Sequence, residues 1–342
     1  MLKGYTKQEI SWMMYDWANS AHSVIIVTLL PIFFDTVAGY TADSVSSMST
    51  WGYATSIAML IVALAAPFLG VFGDIRGMRK KLFSFFMLLG VAACAGMAFT
   101  PGMDFTSGPV AAGKVASLIL VLYIVSVIGF DASAIYYDAF LTDVTTEDRM
   151  DKVSTMGYGL GYIGGSTIPL LIFLIMNLVG VPMLTCLAFV FGLTAVWWLA
   201  FSLPLLKNCE QTSGKPYEKG DVARSIKGVG TTIKEIIANK PMLIYILSYF
   251  FYIDGVHTVI SMATTYGTNL GLDSTGMMLA LLLVQILGLP FCLLYIKCSE
   301  KFGARTMVGF GICVYMFICI FAFFMNSLWQ FLSLIHISEP TR

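Results

Sequence analysis

Five polar side chains lie deep inside long apolar stretches of the sequence, where ionisable groups are rare. They are Asn19, His22, Asp131, Asp254 and His257. A charge at mid-bilayer costs about 2.5 to 3.5 kcal/mol, so such residues normally face a water-filled cavity or a partner. A carboxylate there can bind a cationic group or a proton, and histidine can relay protons because its charge changes near neutral pH. The pattern predicts a solute and proton pathway, with structural hydrogen bonding as the alternative for each residue.

The elements that carry these residues are apolar runs long enough to cross a bilayer as helices of about 20 residues. The chain of 342 residues is 58% hydrophobic and 12% charged, whereas soluble domains carry about 25% charged residues. The predicted spans cover about residues 11–38, 51–71, 82–100, 115–141, 153–178, 181–205, 241–270, 275–296 and 307–325. We therefore expect an all-α polytopic membrane protein, with its deep polar residues in the first, fourth and seventh spans.

Basic residues orient these spans in the membrane. The loop of residues 70–81, between the second and third spans, contains Arg76, Arg79, Lys80 and Lys81. Lys and Arg accumulate in short loops on the cytoplasmic side. In the loops assigned to the outside, Lys114 is the one basic residue. This sorting predicts a cytoplasmic N-terminus and argues against nucleic acid as a partner.

An internal repeat predicts two halves of the same orientation. Asn19 and His22 precede Ser-Val-Ile, and Asp254 and His257 precede Thr-Val-Ile six spans later. Parallel repeats of this kind characterise one large class of transporters. We predict a six-span bundle over residues 1–206, a basic cytoplasmic linker over 207–240 containing a helix, and an incomplete second bundle over 241–342.

Three further patterns concern helix packing, paired acids of the protease type and acids near the membrane surface. Gly157, Gly161 and Gly165 recur at helical spacing and predict close helix packing. Asp16 with Asp74 resembles the paired acids of intramembrane aspartyl proteases, but Asp74 lies at the membrane edge among cations that would hold it ionised. Helical rise places Asp16 and Asp138 near the inner face, where a solvated or capping role is expected. No motif predicts a metal or cofactor, and we expect none.

The loop signature of Gly70, Asp74, Gly77, Arg79 and Lys80 closely resembles the inner-loop signature of the major facilitator superfamily. Four further segments are similar to its vacuole effluxer branch, which holds the autophagy-linked vacuolar amino-acid exporters of fungi and many bacterial relatives. These segments cover residues 11–21, 137–141, 154–165 and 252–255. The resemblance extends over about residues 8–325.

This resemblance implies twelve spans in two bundles that rock about a central site formed by spans 1, 4, 7 and 10. Only about ten residues of a tenth span precede Ser338, and ten helical residues reach about 15 Å, half of the hydrocarbon core. We therefore expect that spans 10 to 12 are missing.

The predicted function is secondary transport of a small polar solute, with amino-acid efflux and proton coupling, by a monomer in a bacterial plasma membrane. In this interpretation Asp131 and Asp254 bind cationic groups or protons, while Asn19, His22 and His257 orient the solute or relay protons. A vacuolar membrane is the alternative location. The alternative functions are a non-transporting fragment or assembly component and, more remotely, an intramembrane aspartyl protease.

Overall fold

The computed structural model describes residues 2, 4–41, 44–214, 216, 221–269, 274–324, 327 and 330, and within them the chain is helical. Its α-helices are α1 (Lys7–Ala38), α2 (Ser44–Gly73), α3 (Arg79–Met97), α4 (Pro109–Val144), α5 (Met150–Gly161), α6 (Ile168–Leu178), α7 (Met183–Asn208), α8 (Asp221–Ala238), α9 (Lys240–Asn269), α10 (Ser274–Phe302) and α11 (Ala304–Phe323). A π-helical turn, Tyr162–Thr167, joins α5 to α6. The chain forms two compact units, Met1–Ala223 and Arg224–Arg342.

Eight helical segments of the described chain are long and apolar enough to cross a bilayer. A ninth is obtained if Gly228–Ala238 and Lys240–Val256, bent by 100° at their junction, form one span. The prediction of an all-helical membrane protein is therefore confirmed. Most of residues 325–342 lies outside the described chain, so the partial tenth span and the incomplete second bundle stay predictions.

The start of α1 is held by an ion pair between the buried Glu9 and the partly exposed Arg149. Thr6 and Glu9 form a reciprocal capping box, in which the Glu9 amide donates to Thr6 Oγ1 at 3.1 Å and the Thr6 amide donates to Glu9 Oε2 at 2.7 Å. The same carboxylate accepts two hydrogen bonds from Arg149, each 2.9 Å long, and one of 2.7 Å from Thr145 Oγ1. These bonds fix the first turn of α1 against the connection between α4 and α5.

The first unit is built around α1, which packs against α4, α5 and α7. Trp12 stacks on Tyr137 of α4 with ring centroids 4.3 Å apart, and its Nε1 donates to the Tyr137 carbonyl at 2.9 Å. Tyr15 Oη and Ser133 Oγ lie 2.8 Å apart, and Trp197 of α7 donates from Nε1 to the Trp17 carbonyl at 3.0 Å. Hydrogen bonds between spans hold helices together where lipid supplies no hydrophobic driving force.

Glycines allow α1 to approach the fifth span closely. A Cβ atom added at Gly165 would lie 2.5 Å from the backbone oxygen of Trp17 and 2.8 Å from Ser20 Cβ. At Gly161 it would lie 2.5 Å from Ser20 Oγ and 3.1 Å from the Asp16 carbonyl oxygen. At Gly165 no other residue type fits without moving the backbone of α1, so this glycine brings the two backbones together.

The second unit contains α9, α10 and α11, with α10 in contact with α11 and both in contact with α9. Its buried side chains include Val256, Val284, Leu289 and Ile318. The helix predicted within residues 207–240 is present as α8, while the assignment of this segment as a cytoplasmic linker stays a prediction.

Gly165→Ala should destabilise the first unit, because the added methyl group meets backbone atoms that have no alternative rotamer. Overpacking of this kind typically costs about 1 to 3 kcal/mol. The matched control is Gly52→Ala on α2, where an added Cβ meets nothing within 4 Å and helix propensity improves by up to about 1 kcal/mol. Thermal unfolding in detergent should show a lower Tm for Gly165→Ala and an equal or higher Tm for the control. Equal midpoints for the two variants would contradict the tight contact.

Candidate functional site

His22 lies in an aromatic enclosure between three helices of the first unit. Its ring stacks on Phe130 of α4 at a centroid distance of 4.8 Å and contacts Trp198 of α7 at 5.2 Å. Nε2 lies 3.2 Å from Ser126 Oγ, while Nδ1 is buried without a hydrogen-bond partner in the described chain. With only 2% of its surface exposed, His22 connects α1, α4 and α7.

Asp131 occupies a different environment on α4. The side chain is half-buried, and it has no hydrogen bond or ion pair with any described residue. It shares a helical stripe with the exposed Asp138, seven residues further along, whereas Ser126 and Ser133 are buried on the opposite side of α4. Asp131 therefore lies on a face of α4 that the first unit leaves partly open.

The other predicted pathway residues are separated from this pair. Asn19 is 8% exposed and lies one helical turn from His22 on α1. Asp254 is an exposed residue of α9 in the second unit, and the side chain of His257 lies outside the described chain. A joint site that combines Asp131 with Asp254 stays a prediction.

Asp16 differs from the solvated carboxylate expected from its depth. Its side chain is half-buried, and its Oδ2 accepts a hydrogen bond of 2.8 Å from Tyr137 Oη on α4. A Cβ at Gly157 would lie 2.5 Å from the same Oδ2, so this glycine leaves the space that the carboxylate occupies. No basic side chain of the described chain forms an ion pair with it. The sequence contained a signal for this contact, since Asp16, Tyr137 and Gly157 all fall within the family-like segments.

The inner loop contains a buried ion pair. Arg79 contacts the carboxylate of Asp143, near the end of α4, and their side chains are 5% and 0% exposed. Arg79 Nη1 also donates to the Ala139 carbonyl at 2.9 Å. Asp74, with a side chain 78% exposed, lies 3.8 Å from Arg79 Nη2. The two acids of the protease-like pattern thus have separate partners, Tyr137 for Asp16 and Arg79 for Asp74.

The segment that follows α7 completes this arrangement. Gln211 Oε1 accepts from the Gly77 amide at 2.8 Å, and its Nε2 donates to the Gly73 carbonyl at 3.0 Å. Gly77 has a φ of +82°, which favours glycine at this turn. Thr212 and Ser213 donate their backbone amides to Asp143 Oδ1 at 3.1 and 2.9 Å.

Two of the remaining signature residues also bond near the loop. Lys80 Nζ donates to the Cys209 carbonyl at 3.1 Å, and the Gly70 carbonyl accepts from the Asp74 amide at 3.2 Å. Sequence reasoning missed Asp143 and Gln211, because the sequence shows no spacing rule that links them to the loop. Within the described residues, no group of three or more His, Cys, Asp or Glu side chains is arranged to hold a metal.

Comparisons with known proteins agree on one family. The family model described as "Vacuole effluxer Atg22 like" matches residues 5–339. An uncharacterised MFS-type transporter of Bacillus subtilis, YxiO, is 39% identical over 339 residues, which cover 97% of this chain and 76% of that protein. Autophagy-related protein 22-1 of Penicillium rubens is 24% identical over 177 residues, 48% of this chain and 30% of that protein.

Solved structures show the same fold. The proton:xylose symporter XylE bound to 6-bromo-6-deoxy-D-glucose aligns with a TM-score of 0.65 at 16% identity, over 98% of this chain and 79% of that one. XylE from E. coli in a partially occluded inward-open conformation aligns with a TM-score of 0.55 at 15% identity, over 98% of this chain and 84% of that one.

The family and the fold are those of major facilitator transporters, which are not enzymes, so the remote alternative of an intramembrane aspartyl protease is wrong. The match over residues 5–339 and the 39% identity to the Bacillus protein show that this chain belongs to the vacuole effluxer Atg22-like family of the major facilitator superfamily.

Proposed function

We propose that the chain exports an amino acid across a bacterial plasma membrane by alternating access, with coupling to protons. The family description, vacuole effluxer, supports export, and the Bacillus relative supports a bacterial location. The proton symporters among the structural neighbours support the coupling of solute movement to protons, without fixing the relative direction of the two. Alternating access follows from the rocking of two helical bundles about a shared site in this class of carrier.

The observation that carries the proposal is the unpartnered carboxylate of Asp131. An acid within a membrane span needs a partner, and Asp131 has none among the described residues. An amino acid supplies an ammonium group that would form a charge-assisted hydrogen bond with it. A neutral sugar has no cation to offer, so the residue favours an amino acid over the sugar bound by the structural neighbours.

The remaining predicted residues are assigned by their surroundings. Asp254, which is exposed on α9, would bind a second cationic group or a proton. Asn19 and His257 would orient the solute. His22 would act by holding α1, α4 and α7 at a fixed spacing, since its ring is enclosed by Phe130 and Trp198. We propose that one copy of the chain in the lipid bilayer suffices.

Asp131→Asn should reduce amino-acid counterflow about 10- to 100-fold, because a lost charge-assisted hydrogen bond costs about 1.5 to 3 kcal/mol. The measurement is exchange of a labelled amino-acid pool across proteoliposomes. Asp104→Asn, the same substitution in an exposed loop, is the matched control and should leave exchange unchanged. Xylose is assayed in parallel, and exchange of xylose without amino acids would overturn the choice of solute. Exchange by the full-length Bacillus relative but not by this chain would support the fragment alternative instead.

Proton coupling predicts that an imposed pH gradient drives accumulation of the amino acid against its concentration gradient. Addition of a protonophore should abolish this accumulation while counterflow continues, because counterflow needs no net proton movement. If Asp131 binds the proton instead of the ammonium group, Asp131→Asn should retain counterflow and lose only the response to the gradient. Accumulation that ignores the pH gradient in the unmodified chain would contradict coupling.

A further inference from the structure

A basic cavity opens where the ends of α3 and α7 meet the inner loop. It has a volume of about 600 Å³, and the residues that line it include Arg76, Lys80, Lys81, Ser84, Leu206 and Glu210. Three basic groups thus face one acidic group. The cavity lies outside the predicted transport pathway, since it contains none of the deep polar residues.

Two of the cations have no internal partner. Lys80 Nζ donates to the Cys209 carbonyl, whereas the exposed Arg76 and Lys81 form no ion pair or hydrogen bond with any described residue through their side chains. The nearby acids do not neutralise them, since Asp74 lies beside Arg79 and Asp143 is buried against it. Glu210 lines the cavity but forms no ion pair with either cation in the described chain. The cavity therefore keeps an excess of positive charge for an anionic ligand.

The frame of this cavity is ordered by hydrogen bonds. Gln211 bonds both Gly73 and Gly77, which holds the start of the linker against the inner loop. The Cys209 amide donates to the Leu205 carbonyl at 3.0 Å, so the chain leaves α7 in a defined direction. These hydrogen bonds fix the backbone around the basic side chains that line the cavity.

Apolar side chains continue from the cavity along both helices. On α3, Phe85 and Leu88 follow Lys81 and Ser84 by four residues each, and they are 59% and 49% exposed. On α7, Leu203 precedes Leu206 by three residues and is 54% exposed. Residues three or four apart share a helix face, so an exposed apolar surface begins next to the charged cavity.

We propose that this cavity binds the headgroup of an anionic phospholipid, with its phosphate between Arg76 and Lys81 and its acyl chains along α3 and α7. Basic pockets between membrane helices on the cytoplasmic side bind anionic headgroups, and this open cavity combines three cations with an adjoining apolar surface. A free phosphate would use the cations but not the apolar stripes, which favours the lipid. The proposal goes beyond transport and depends only on the membrane-spanning fold.

The test measures binding of phosphatidylglycerol to the purified full chain by native mass spectrometry and by the rise in Tm that the lipid produces. The double variant Arg76→Gln/Lys81→Gln should bind phosphatidylglycerol roughly 30-fold more weakly, since each of the two cations contributes about 1 kcal/mol near a lipid surface. The control Lys114→Gln/Lys152→Gln removes the same charge from exposed positions elsewhere and should bind as the unmodified chain does. Phosphatidylcholine should give no rise in Tm with any chain.

Three results would overturn the proposal. Equal weakening by the control pair would show non-specific attraction of the lipid to positive charge. Displacement of the lipid by inorganic phosphate at equal concentration would show a free-phosphate site. Retention of phosphatidylglycerol by the Arg76→Gln/Lys81→Gln variant would exclude these two residues. Because both side chains are exposed and unpartnered, the double variant should keep the unmodified Tm in phosphatidylcholine, which separates lost binding from lost folding.

Discussion

The close contact of α1 with the helices around it is the constraint on which the first unit depends. Lipid tails are as apolar as leucine side chains, so burial alone does not drive helices together in a bilayer. The contact instead uses glycines that let backbones approach, such as Gly161 and Gly165, and hydrogen bonds such as that between Tyr15 and Ser133. Each polar group on α1 with a partner on α4 also fixes the rotation of α1.

That rotation separates the polar residues into two groups. Asp16 and His22 make contacts inside the unit. Asp16 accepts a hydrogen bond from Tyr137, and His22 stacks on Phe130 in an aromatic enclosure. Asp131 has no partner among the described residues and lies on the open side of α4. Because a carboxylate in a span is costly unless paired, the unpaired acid is the stronger candidate for a group that acts on a solute.

At the loop between α2 and α3, the ion pair of Arg79 and Asp143 links the neighbouring helices. Breaking a buried pair by removing one partner typically costs about 3 to 5 kcal/mol, because the remaining charge stays buried and uncompensated. Asp143 also holds the segment after α7 in place, since it accepts hydrogen bonds from the backbone amides of Thr212 and Ser213. The loop between α2 and α3 is thus tied to the end of α4 and to the segment that leaves the first unit. The cavity beside this loop is built on the same bonds.

The sequence by itself determined the helical membrane architecture and the position of the inner loop. Hydropathy and turn residues are local properties, so they can be read without knowing how helices meet. The first six apolar runs correspond to α1 to α7 with boundaries shifted by several residues, and the helix predicted within residues 207–240 corresponds to α8. The tertiary structure alone decided that Asp16 meets Tyr137 and Gly157, and that His22 is enclosed. It also decided that Asp143 and Gln211 complete the inner loop. These contacts depend on the rotation and tilt of each helix, which arise from packing against its neighbours and not from residue spacing along one helix.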